Sequence, residues 1–125
     1  MHELTKSLKR KLNEQSMLAH EEELRRALLP LAELFDQWRQ GNLGSGALAL
    51  RIHDWDRGPQ KELFKKYNTN LFVTEMNVAH AIVTGLLDES QVDTELLEYL
   101  QRHIAIYRER AREEAKSSST PSVNS

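Results

Sequence analysis

The chain has 125 residues, 39% of them apolar and 29% charged, and a formal net charge of -2. That balance is too apolar for a wholly disordered chain and, at a mean hydropathy of -0.62, too polar for a membrane protein. Cysteine is absent, which excludes a disulfide framework, a thiolate nucleophile, Cys-ligated zinc and an iron–sulfur cluster.

The first forty residues read as helix, but their apolar phase changes. At about 100° per residue, Leu4, Leu8 and Leu12 lie within about 80° of one another. Met17, Leu24, Ala27, Leu28, Leu31, Leu34, Phe35 and Trp38 form a second stripe, centred about 140° away. A straight helix cannot bury both stripes in one core. The spacing predicts either a break near residues 13–16 or an oligomerisation arm over residues 1–15, with Leu4, Leu8 and Leu12 packed on a partner subunit. Pro30 removes one backbone hydrogen bond, at roughly 3 kcal/mol in a helix interior. The stripe nevertheless keeps its phase from Leu24 to Trp38, so a kinked helix is expected rather than a loop.

Gly41, Gly44 and Gly46 mark a connection, with Gly41 placed for a left-handed cap. Residues 47–55 alternate as a strand would (Leu48, Leu50, Ile52). They also present a helical face (Leu48, Ile52, Trp55), and helix is preferred because a lone strand has nothing to pair with. Pro59 suits the first turn of a short helix ending at Tyr67. Thr74 is placed to cap the next helix. Residues 75–87 are apolar nearly all round, with Gly85 inside the pattern, which puts that helix at the centre of a bundle. Asp93 or Ser90 caps a last helix ending near residue 115, with Leu96, Leu97, Leu100, Ile104, Tyr107 and Ala111 on its main face. Residues 116–125 are almost entirely small or polar and are expected to be disordered. The predicted architecture is all-α: a compact bundle of five or six helices in a single domain over residues 1–115, with a long N-terminal helix kinked near Pro30.

Three groups of residues carry candidate chemistry, each with a plainer alternative. Asn77, His80 and Thr84 form the polar stripe of the central helix. They outline either a small pocket with His80 as a proton-transfer group or ligand, or simply the side that meets solvent. His53, Asp56 and Arg57 share one face at the end of a helix, either as a metal or acid–base cluster or as a charged helix end. His103 follows Tyr99 by one turn and reads as a partly buried histidine bonded to Tyr99 or to a carbonyl. No HExxH, ExxH, GxSxG, GxxxxGK[ST] or GxGxxG pattern occurs in the chain. A metal-dependent enzyme using His53, His80 or His103 therefore ranks below a non-enzyme, and no cofactor or metal is expected.

Lys6, Lys9, Arg10 and Lys11 form the basic patch of an amphipathic segment. Four cations without interleaved aromatics in a net acidic chain are few for a nucleic-acid site. Nucleic-acid binding is the alternative to the main expectation, a small interaction, assembly or regulatory protein that acts as a homodimer and has room for another protein partner. No run of about 18 apolar residues exists to span a membrane. The first residues lack the apolar stretch of a secretory signal, and a cytoplasmic location is expected.

Overall fold

The structure is a computed structural model that describes residues 3–119. Its helices are α1 (Lys6–Arg39), α2 (Ser45–Trp55), α3 (Lys61–Tyr67), α4 (Leu71–Val83), α5 (Thr94–Tyr99) and α6 (Gln101–Ser119). A π-helical turn (Asp56–Gln60) joins α2 to α3, and a 3-10 turn (Glu89–Gln91) precedes α5. No strand occurs among the described residues, and residues 47–55 are helical as preferred.

Helix α1 has 34 residues, so it is ~51 Å long. It starts where the Thr5 hydroxyl accepts the Leu8 amide at 3.1 Å. It stops at Gly41, whose φ of 81° supplies the expected left-handed cap. The amides of Gly41 and Asn42 then donate to the carbonyls of Trp38 and Gln37 at 3.1 and 2.8 Å, the paired closure of a Schellman motif. The helix continues through Pro30. Pro30 has no amide to offer the Arg26 carbonyl. On the next carbonyl, that of Ala27, the Trp55 indole N–H donates at 2.9 Å from the facing helix.

The change of phase expected near residues 13–16 does not occur. Helix α1 buries Leu8, Leu12, Ser16 and Ala19, and the inward stripe runs on through the half-buried Glu23, Ala27, Leu31 and Leu34. Met17, which the sequence reading placed in the stripe, is 72% exposed. Two of the buried positions, Ser16 and Ala19, carry small side chains. A reading that weights size passes over them. The oligomerisation arm is corrected accordingly: Leu8 and Leu12 are 2% and 0% exposed in the chain's own core, and Leu4 packs against the same cluster.

Two regions share α1. In the first, the body, its N-terminal half packs with α4, α5 and α6 around Leu8, Leu12, Ala19, Val78, Leu96 and Leu100. In the second, the hairpin, its C-terminal half runs antiparallel to α2, the π turn and α3. Contacts rise along one helix as they fall along the other. Trp38 Nε1 donates to Ser45 Oγ at 3.0 Å, Trp55 reaches Ala27, and Lys66 Nζ lies 3.0 Å from Glu23 Oε2. The His20 ring stacks on Tyr67 at 4.7 Å.

Helix α4 is the central element, burying Thr74, Val78, Ala79, Ala81 and Ile82. Its cap is Asn70, whose side chain accepts the Val73 amide at 2.9 Å. Thr74 instead lies one turn inside and donates its hydroxyl to the Asn70 carbonyl at 3.0 Å. Gly85 ends the helix rather than lying within it: at φ 79° it turns the chain, and the Leu87 amide closes onto the Ala81 carbonyl at 3.1 Å. Asp93 caps α5 by accepting the Glu95 amide at 3.0 Å. The expected last helix is stepped at Leu100 into α5 and α6, while Leu96, Leu100 and Ile104 all stay buried. Helix α6 runs to Ser119, so residues 116–119 of the expected tail are helical. The remainder of that expectation lies outside the described residues.

Candidate functional site

The polar stripe of α4 divides between two tasks. Asn77 Nδ2 donates to the Lys66 carbonyl at 2.8 Å, bracing α3 against α4. His80 is exposed and meets the Tyr107 ring edge-on at 5.0 Å. Thr84 donates to the Ala81 carbonyl at 3.4 Å in the last turn. His80 and Thr84 border a shallow cleft of about 190 Å³ with Tyr107 and Arg110, which Asn77 does not reach.

His53, Asp56 and Arg57 are all exposed at the junction of α2 and the π turn. The Arg57 guanidinium lies 3.5 Å from His53 Nε2, which sets a cation rather than a second carboxylate beside the imidazole. Among the described residues no three of His, Cys, Asp and Glu are grouped so as to hold a metal ion.

His103 does not bond Tyr99. Both converge on a third residue, Glu75. Tyr99 Oη donates to Glu75 Oε1 at 2.8 Å, and His103 Nε2 lies 3.6 Å from Glu75 Oε2. The Phe72 ring covers His103 edge-on at 5.9 Å. Burial, and then the neighbouring Glu75 carboxylate, push the Tyr99 phenol up to about 12. The cluster ties α4 to the α5–α6 step.

The basic patch also separates. Lys11 turns inward, 3.2 Å from Asp93 and 3.5 Å from Glu95, and pins α1 to the start of α5. Hydrogen bonding to Asp93 raises its pKa. Lys6, Lys9 and Arg10 remain exposed, with Arg10 3.9 Å from Glu14.

The feature that sequence reasoning missed is the openness of the hairpin. Leu48 is its single fully buried apolar side chain among the described residues, while Leu28 and Phe64 are 44% and 58% exposed. The signal was present: α1 and α2–α3 carry more apolar positions than two facing helices can cover. It could not be separated from the supply of the body's core until the body was seen to be filled mainly by α1, α4, α5 and α6, with Leu87 and Val92 of the connections and Tyr67 of α3.

No family model, curated protein or solved structure matches this chain.

Proposed function

We propose that the protein acts by association and that the open hairpin, spanning residues 24–67, is its contact surface. The observation that carries this is the hairpin's burial. Large apolar side chains line both of its helices, yet only Leu48 is buried. Contiguous exposed apolar surface on a soluble domain marks an interaction site. The homo-oligomer expected from the sequence is kept, with the contact moved from residues 1–15 to the hairpin, because Leu8 and Leu12 have no surface left to offer a second chain.

Photo-crosslinking residues tests the surface without presupposing the partner. Introduced one at a time in the host cell at positions 28 and 64, they should give adducts of defined mass. At position 10 on the basic segment and 106 on α6 they should not. Adducts at all four positions alike, or at none, would remove the hairpin from consideration.

A further inference from the structure

The two sides of the hairpin differ. One is marked by shallow depressions lined by Glu23, Arg26 and Pro30 of α1 and by Arg51, Asp54 and Glu62 of the opposing strand of helices. Charges of both signs rim these depressions, whose floors are apolar (Ala27, Leu31, Leu34, Trp55 and Leu63). At helical spacing, Met17, Leu24, Leu28 and Phe35 fall on the other flank of the inward stripe. Ile52 of α2 and Phe64 of α3 are also exposed and line neither depression. None of these six side chains is fully buried. These six apolar side chains, drawn from both helices, thus lie outside the charge-rimmed depressions and mark an apolar side of the hairpin.

We infer that the occupant of this apolar side is a second copy of the chain, related by a two-fold axis, so that two hairpins close into one four-helix layer. The inference rests on the reading of the hairpin as the contact surface and names its partner.

Size supports it first. From Met17 to Trp38 the face is ~32 Å long, and two packed helices are ~20 Å wide. That offers ~600 Å² per copy and ~1,200 Å² in all, at the lower end of a stable interface.

Charge placement supports it independently. Glu21 and Arg39 are both exposed. Their separation is five full helical turns, so they lie on the same edge of α1, at opposite ends of the apolar face. A two-fold axis centred near Pro30 runs the two α1 helices antiparallel. It sets Glu21 of each copy beside Arg39 of the other. A parallel arrangement would set like charges together. Self-complementarity under a two-fold rotation is what an isologous contact needs, and an unrelated partner would have to supply that pattern separately.

The test uses the full chain. Light scattering at about 100 μM, two decades above a micromolar Kd, should give twice the 14.5 kDa chain mass. Because the chain has no cysteine, Leu28→Cys near the axis should oxidise to a disulfide-linked dimer, whereas Leu18→Cys on the outer edge should not. Glu21→Arg should weaken the dimer about tenfold, and Glu21→Arg combined with Arg39→Glu should restore it. This pair keeps the test sound if Leu28→Glu with Phe64→Glu, the variant expected to be monomeric, fails to fold. A mass of 14.5 kDa together with cellular adducts at positions 28 and 64 to a different protein would overturn the second copy and leave the contact surface standing. The same mass with no adducts would overturn both. Failure of the charge reversal to restore association would overturn the two-fold geometry.

Discussion

The body and the hairpin are built on the same helix, and α1 passes from one to the other without a break in its backbone. What differs is the number of layers set against it. In the body, α1 meets α4, which is covered in turn by α5 and α6, and Leu12, Val78, Leu96 and Leu100 are all enclosed. In the hairpin, α1 meets a single layer, α2 and α3, and Leu48, at 5% exposure, is its only buried apolar side chain. Regular helix and a good apolar stripe do not make a core by themselves. Two helices have two open flanks, and only a further layer closes them.

The comparison predicts where stability resides. Leu12→Ala empties a site that is fully enclosed. It should cost about 3 kcal/mol in urea unfolding and lower the hydrogen-exchange protection of α4 and α6 along with that of α1. Leu48→Ala should cost less, because its surroundings are open enough to relax. Equal losses from the two substitutions would erase the distinction between the regions.

A smaller effect, of opposite sign, is expected at the hairpin. Pro30 is exposed, so Pro30→Ala adds an amide for the Arg26 carbonyl without creating a cavity. A gain of about 1–2 kcal/mol is expected. It should appear as slower amide exchange between residues 26 and 39, with residues 74–82 unchanged. A gain spread evenly over both regions would mean that they unfold as one unit.

A further effect belongs to the body and is read by pH. Tyr99 is raised from 10.0 to about 12 by burial and then by Glu75. The folded state therefore favours the neutral phenol. Its contribution is fully present below pH 10 and is lost as pH rises toward 12. A phenolate absorbance titration should show one tyrosine with a midpoint near 12. Glu75→Gln should bring that midpoint down while leaving part of the shift, because burial is its larger cause.

Much of this organisation could be read from the chain. The helices, the cap at Gly41, the preference for helix over residues 47–55 and the central place of α4 all follow from apolar period and turn chemistry, and all are present. The failures share a cause. Ser16 and Ala19 carry the stripe of α1 through its crossing with α4, but small residues leave no apolar signal, so Met17 and Leu24 were followed instead and the phase was lost. Thr74 is of a type that caps helices, but its hydroxyl donates to the Asn70 carbonyl from one turn inside the helix, and it is Asn70 that accepts the helix-start amide. Glu75 joins Tyr99 to His103 across helices far apart in sequence, and no spacing within one helix announces such a meeting. The chemistry-bearing residues were found one by one. Their partners, Lys66 for Asn77 and Asp93 for Lys11, belong to the tertiary fold.

The two prolines of the hairpin border a single depression of about 250 Å³, with Trp55 between them. Each interrupts the backbone ladder of its own helix, one in α1 and the other in the π turn. They therefore lie at the same height on two antiparallel rods. In mechanical terms this is a beam notched on both flanges at one cross-section. Bending compliance is expected to concentrate there, with the Trp55 indole, bonded across to Ala27, as the pin. The tip formed by residues 31–55 is therefore expected to tilt about this section while the body keeps its shape. Spin labels placed at the tip and on α6 should report a broader distance distribution than a pair within the body, and Pro30→Ala should narrow it.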